Sequence, residues 1–320
     1  MEIRNLGRSG LRVSAIGLGC NNLGGRIDLE ASRRVVDEAL DAGITLFDVA
    51  DIYGRDDSFG HHHGASEMAL GAILGARRHD IILATKFGAP MDAQGTLTGG
   101  SRRYVMQAVE ASLQRLRTDH IDLYQLHKPD PLTPIDETLR ALDDLIRAGK
   151  VRYIGCSNLP AWEVAQAQHV ARELGLNRFV SCQDELSLLA TGAERELIPA
   201  IERYGIGLLP YFPLASGLLT GKYRRDEAPA ADSRFGNWKQ LGAIYLTERN
   251  WSVVEQLEAV AREHGHRLID LAFGWLLAKP CVSSVIAGAT RPDQVRGNVA
   301  AGSVRLSPET LAAIDAVIAG

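Results

Sequence analysis

The sequence has no run of about 18 apolar residues, which removes a membrane-spanning helix. Its opening, MEIRNLGRSGLRVS, lacks the apolar core of a signal peptide. It carries no block of basic residues, and 35 Lys and Arg against 39 Asp and Glu leave a net charge of −4. That balance argues against a nucleic-acid partner. Cysteine is scarce: Cys20, Cys156, Cys182 and Cys281 lie far apart and form no CxxC pair. A disulfide framework is excluded, and a reduced, cytoplasmic chain is expected. No linker rich in Pro, Gly or Ser divides the chain. No GxGxxG follows the first apolar run at the spacing of an open dinucleotide-binding sheet.

What is present is apolar material, 46% of 320 residues, enough for one large core. Residues 28–48, DLEASRRVVDEALDAGITLFD, hold a helix capped by Asp28 and stopped by Gly43, then a short buried strand ending on Asp48. Helices around 102–117, 134–148, 160–174, 194–203 and 267–278 lead in the same way to apolar runs at 121–127, 151–158, 178–183, 206–212 and 282–288. With 15–19 and 80–86 there are eight such runs. Strands buried on both faces and alternating with helices mean a parallel sheet. Eight runs of similar length favour an α/β (β/α)8 TIM barrel over residues 1–320 as one domain. Residues 3–14 read as a hairpin turning at Ser9-Gly10 that caps the bottom of the barrel, and a capped helix over 307–319 ends the chain.

In such a barrel the active site lies at the C-terminal strand ends. Those positions carry Asp48, Lys86, His127, Ser157, Asn158, Gln183, Tyr211 and Gly288, with Tyr53 about one turn after Asp48. Singly, each is a residue leaving the core; together they crowd one rim. A tyrosine beside an ammonium has its pKa lowered from about 10, and an aspartate holds the ammonium. Such a set delivers a proton to an oxygen, with a histidine orienting the carbonyl and the reducing equivalent coming from a cofactor. Asp48, Tyr53, Lys86 and His127 are the candidate catalytic residues.

Six ordered segments, 43-GITLFDVADIYG-54, 83-LATKFG-88, 123-LYQLHKPDP-131, 149-GKVRYIGCSN-158, 211-YFPLASGLLTGKY-223 and 286-IAGATRPDQVRGN-298, resemble the aldo-keto reductase family over nearly the whole chain. The last two are similar to the bacterial branch of that family that also resembles potassium-channel β subunits. The resemblance implies NADP(H), with NAD(H) as the lesser choice, and a small carbonyl or alcohol substrate. It implies Tyr53 as general acid, tuned by Lys86 and Asp48, and His127 as the carbonyl's guide. Gly19, Cys20, Asn21 and Asp48 would border the cofactor at the first strands. Ser157, Asn158 and Gln183 would hydrogen-bond its carboxamide, and Tyr211 would stack on the nicotinamide. Phe212, Pro213, Leu214, Gly217, Leu218 and Lys222 would follow the pyrophosphate, with Arg234 closing over it. Gly288, Thr290, Arg291, Gln294 and Asn298 would meet the adenosine end.

Phe212 departs from the small hydroxyl residue usual in the family, and Leu186 from a common tyrosine. Gly288 and Gln294 replace cations found in some members, leaving Arg291 to fork onto a 2′-phosphate. Asn21, Asn22, Leu23, the 55–65 loop, Phe87, Leu186 and the 223–242 loop with Trp238 are expected to build the substrate pocket. A cofactor-sensing, weakly catalytic regulatory subunit is the alternative function. His61, His62 and His63 fall in an enlarged loop after Tyr53, where at most His61 and His63 share a face. No metal site is expected there. The loop is read as solvated, or as a rim touching substrate.

Overall fold

The structure, a computed structural model, describes residues 1–54, 63–231 and 233–319. Two short antiparallel strands, β1 (Ile3–Asn5) and β2 (Arg12–Ser14), form the opening hairpin. Eight parallel strands follow: β3 (Ile16–Gly19), β4 (Leu46–Asp48), β5 (Ile82–Phe87), β6 (Ile121–Leu126), β7 (Val151–Ser157), β8 (Ser181–Glu185), β9 (Gly207–Tyr211) and β10 (Val285–Gly288). They pair in chain order, and β10 pairs with β3. The ring closes where Leu208 donates to Cys281 O at 2.7 Å and accepts from Ser283 N at 2.9 Å. This is the (β/α)8 barrel that the spacing of apolar runs predicts.

The hairpin plugs the lower end. Leu6, Leu11 and Val13 pack with Leu46, Ala84, Leu123, Leu209 and Ile286, which face the barrel axis. Its turn admits only glycine at one point. Gly7 has φ +56°, and a Cβ there would lie 2.5 Å from Gly207 N.

Helices cover the outside: α1 (Leu29–Asp41), α2 (Ala65–Leu74), α3 (Arg102–Leu116), α4 (Ile135–Arg147), α5 (Ala161–Glu173) and α6 (Leu197–Tyr204). The short α7 (Arg234–Asn237) and α8 (Lys239–Tyr245) lead to α9 (Glu248–Glu263), α10 (Leu268–Leu277), α11 (Pro292–Gly302) and α12 (Pro308–Ala319). Each amphipathic pattern turns its apolar side inward. In α4, Leu139, Leu142 and Leu145 recur every three residues and are all buried. The Asp28 cap is formed, accepting from Ala31 N at 2.7 Å. None of the described helices is long and apolar enough to cross a membrane.

One strand lies later than its apolar run suggests. The run 178–183 gives way to β8 at Ser181–Glu185, where Gln183, Asp184 and Glu185 pair with Leu209, Pro210 and Tyr211. Polar residues prolong this strand because it reaches the upper rim, where they face solvent or the cleft. Helices α2, α9 and α11 and the short α7 and α8 have no counterpart among the expected elements.

Candidate active site

The barrel brings the four candidate catalytic residues together. β4 ends on Asp48, β5 carries Lys86, His127 follows β6, and Tyr53 sits on the turn after β4. Lys86 is 0% exposed and Asp48 2%. A buried ammonium is tolerated only when its charge is paired and its donors are used. Both conditions hold. Lys86 Nζ donates to Asp48 Oδ2 at 2.6 Å, to the Val49 carbonyl at 3.1 Å and to Tyr53 Oη at 3.1 Å. An ammonium has three donors, and three acceptors surround it. Asp48 Oδ1 accepts from Gln183 Nε2 at 2.9 Å and from Gln125 Nε2 at 3.3 Å. The His127 ring meets the Tyr53 ring edge-on, with centroids 5.8 Å apart.

Electrostatics correct one expectation from the sequence. The Tyr53 pKa is raised, not lowered. Burial is the largest cause, and it outweighs the attraction and hydrogen bond from Lys86, while Asp48 pushes in the same direction as burial. Burial pulls the Lys86 pKa down, but Asp48 and Tyr53 more than reverse it, so Lys86 stays an ammonium. Burial, then Lys86, then Lys128 push His127 down to about 3. Its imidazole is therefore neutral, and its buried Nδ1 has no hydrogen-bond partner among the described residues.

From Tyr53 and His127 a cleft of about 990 Å³ runs across the rim to Arg291 and Asn298. At the inner end the Asn158 side chain is fully engaged. Its Oδ1 accepts from Tyr211 Oη at 2.8 Å, and its Nδ2 donates to the His127 carbonyl at 2.9 Å and to Ser157 Oγ at 3.0 Å. Asn158 thus ties Tyr211 to the backbone of His127. Along one wall Phe212, Ala215 and Ser216 take φ of 51°, 45° and 58°. Side chains with a Cβ rarely adopt that region, at a cost of order 1–3 kcal/mol each. The Arg234 guanidinium lies over the Phe212 ring at 5.3 Å and the Trp238 ring at 5.9 Å, and its buried Nε has no partner among the described residues. At the far end Gln294 Oε1 accepts from Thr290 N at 2.8 Å, and Arg291 is forked onto Asp293 by two bonds of 3.0 Å.

The sequence model of the aldo/keto reductase family matches residues 15–319. The chain belongs to the aldo/keto reductase family. It is an oxidoreductase barrel, similar along its length to proteins with diverse names. It is 36% identical to an uncharacterized oxidoreductase, YrpG, of Bacillus subtilis, covering 100% of this chain and 97% of the relative. It is 37% identical to a probable voltage-gated potassium channel subunit beta of Oryza sativa, covering 99% and 97%. It is 33% identical to the L-glyceraldehyde 3-phosphate reductase of Escherichia coli, covering 100% and 93%.

In this aldo/keto reductase most residues expected at the cofactor do line the cleft, and two do not. Gly19, Asn21, Asp48, Ser157, Asn158, Gln183, Tyr211, Phe212, Pro213, Leu214, Gly217, Lys222, Arg234, Gly288, Thr290, Arg291, Gln294 and Asn298 border it. Cys20 is buried behind the wall, its Sγ donating to Leu18 O at 3.5 Å, and Leu218 packs into the core. Leu23, Phe87 and Leu186, expected in the substrate pocket, are likewise buried, since each turns toward the helical layer or the core. Lys86 is not among the residues that line the cleft; it lies behind Tyr53, donating to its Oη. Phe212, read as a lost hydroxyl, instead carries Arg234. Sequence reasoning passed over Arg26, Lys128, Ser216, Thr220 and Ser233, which also line the cleft. Lys128 is legible after the fact as the neighbour of His127. Arg26 sits in a loop whose course no local pattern reveals. His61 and His62 lie outside the described residues. His63 is half-buried just before α2.

Proposed function

We propose that this aldo/keto reductase reversibly reduces aldehydes and ketones to alcohols with NADP(H), with Tyr53 as the general acid and base. A bound nicotinamide dinucleotide supplies the hydride. The observation that carries the reading is the direction of one hydrogen bond. Lys86 donates to Tyr53 Oη, so the hydroxyl's own hydrogen is left to point into the cleft. Burial keeps that proton in place at neutral pH. Tyr53 gives it to a carbonyl oxygen, and the charge left on Tyr53 faces the Lys86 ammonium. Neutral His127 donates a hydrogen bond to the same oxygen and fixes its approach.

The cleft suits a dinucleotide. It is long and polar at both ends, and Arg234 Nε is a buried donor with no partner among the described residues. Gln183 turns its Nε2 to Asp48, which leaves its Oε1 for a carboxamide, with Ser157 beside it. Tyr211 is the flat platform for the ring. Lys222 and Arg234 would hold the pyrophosphate, and Arg291, Gln294 and Asn298 the adenosine end. Arg291 gives NADP(H) the preference. Its exposed pair with Asp293 is worth about 0–1 kcal/mol, less than a forked contact with a phosphate.

The E. coli relative, a reductase by name, supports carbonyl reduction. The relatives named as channel subunits support a second reading, a cofactor-sensing regulatory subunit. Tyr53→Phe decides between them. Under the proposed function it lowers kcat for aldehyde reduction by about 10²–10⁴-fold while NADPH still binds. Equal turnover in variant and parent overturns the acid assignment, and a parent that binds NADPH without reducing any carbonyl supports the regulatory reading.

A further inference from the structure

Lys86 and Tyr53 share one hydrogen bond, yet they arrive on different elements, Lys86 on β5 and Tyr53 on the turn after β4. The start of α2 holds that turn from behind. Ser66 N donates to the Tyr53 carbonyl at 3.3 Å, and Ser66 Oγ donates to the Cys20 carbonyl at 2.5 Å. Ser66 thus pins the tyrosine backbone to the residue that follows β3. The fit is close: a Cβ on Gly54 would lie 2.5 Å from Ala65 Cβ and 3.0 Å from Ser66 N.

Next to Ser66 stands Glu67, which is 0% exposed and does not line the cleft. Its carboxylate joins two other elements. Oε1 accepts from Thr85 Oγ1 at 2.6 Å, and Oε2 accepts from Arg115 Nε at 2.6 Å. Thr85 precedes Lys86 on β5, and successive side chains on a strand point to opposite faces. Thr85 therefore meets α2 while Lys86 meets Tyr53. Arg115, on α3, lies so close over Gly64 that no Cβ fits there. A buried ion pair adds little stability over apolar side chains of the same volume. Two short, directed bonds on one carboxylate do fix where the first turn of α2 sits against β5.

We propose that Glu67 is a positioning residue for the proton transfer. Through Thr85 it holds the strand that carries Lys86, and through Ser66 it holds the turn that carries Tyr53. The two ends of the Lys86–Tyr53 hydrogen bond are thereby kept in register by one buried carboxylate, with Arg115 as its counter-charge. This rests on the reading of Tyr53 as the acid, and adds to it a residue that touches neither substrate nor cofactor.

The test measures kcat, KM and NADPH affinity for reduction of 4-nitrobenzaldehyde in the parent, Glu67→Gln, Thr85→Val and Thr85→Ser, and combines Glu67→Gln with Tyr53→Phe. Glutamine keeps the shape but cannot accept from both Thr85 and Arg115. Misplacing a reacting group by about 1 Å costs on the order of 10²-fold, so Glu67→Gln is expected to lower kcat by about 10- to 100-fold while NADPH affinity is unchanged. Thr85→Val removes the strand contact and leaves the ion pair. It is expected to lower kcat by a smaller factor, and Thr85→Ser to restore it. In the Tyr53→Phe background Glu67→Gln is expected to cost nothing further, because a residue that acts through Tyr53 then has nothing to position. Three results overturn the proposal: kcat unmoved in Glu67→Gln, a loss that lies wholly in NADPH binding, or the same fold-loss with and without Tyr53. If Glu67→Gln does not fold, Thr85→Val decides: an unmoved kcat, or a loss that Thr85→Ser does not restore, overturns the proposal. An impaired Tyr53→Phe beside an unimpaired Glu67→Gln removes this inference alone. Equal turnover of Tyr53→Phe and the parent removes the proposed acid, and this inference with it.

Discussion

Lys86→Met is the perturbation that most directly probes the buried charge set. Methionine keeps the length of the lysine stem and removes the charge. Asp48, 2% exposed, is left as a carboxylate with only the Gln183 and Gln125 amides as donors. Breaking one side of a buried ion pair costs about 3–5 kcal/mol, because the survivor stays charged and dry. Unfolding entropy near 60 °C is about 2.1 cal/mol/K per residue. For 320 residues that is roughly 0.67 kcal/mol per degree, so the expected fall in Tm is roughly 4–7 °C. The companion is the double variant Asp48→Asn with Lys86→Met, which removes both charges and keeps an acceptor for the two glutamines. It is expected to lose less than Lys86→Met alone. Calorimetry of the cofactor-free proteins measures both, and aldehyde reduction is expected to be lost in each. The reasoning fails if Lys86→Met melts within about a degree of the parent, or if the double variant is the less stable of the two.

Three further outcomes follow from the same electrostatics. Reduction should show no limb at the ordinary histidine value of 6.5, since His127 is pushed down to about 3, and kcat/KM should fall only above 10, where Tyr53 loses its proton. A limb near 6.5 in the parent that vanishes in His127→Asn would show that His127 titrates there. Asp51 is buried beside Glu67 and its pKa is pushed up from 3.8 to about 8, by burial first and Glu67 second. The folded chain keeps a proton that the unfolded chain has already released. Its contribution is thus fully present below 3.8 and is lost as pH rises through about 8, at a slope of about 1.4 kcal/mol per pH unit. Asp51→Asn removes that slope, so its gain in Tm over the parent should widen from pH 5 to pH 8; a constant gap refutes it. Arg291→Ala should lower the ratio of kcat/KM for NADPH over NADH by about tenfold or more, the loss of one charged contact. An unchanged ratio makes Arg291 a surface residue.

Much of this molecule is legible from residue order. The barrel follows from eight apolar runs of matched length, because strands covered on both faces are mostly apolar along their length. The candidate catalytic set is legible for the complementary reason: Asp48, Lys86 and His127 are polar residues at or just beyond the ends of runs, at the rim. The side of the wall on which a residue falls is less legible. Cys20 and Leu218 sit within motifs that line the cleft, yet each turns away from it, and one step along a strand or tight turn reverses the face. Arg26 escapes notice because its place depends on the contact of Gly25 with Gly54, two glycines 29 residues apart in sequence, which no local pattern encodes. The sign of the Tyr53 shift is hidden for the same kind of reason. The sequence names the lysine that lowers the pKa, but burial is a property of the whole fold, and burial wins.

Within the proposed function, the raised Tyr53 pKa gives the lysine a clearer task. If Lys86 held Tyr53 as tyrosinate at rest, the site would have no proton to deliver in the reducing direction. Burial prevents that state, and the ammonium, already at 3.1 Å from Oη, acts chiefly on the charge that appears when the proton leaves. An interaction stronger after proton transfer than before it lowers the barrier rather than merely tightening binding. Asp48 makes this workable, since without it burial would drive the lysine toward neutrality and take the charge away. Under the proposed function the three residues form one device, in which the aspartate keeps the lysine charged, the barrel keeps the tyrosine protonated, and the lysine receives the charge created when the proton leaves.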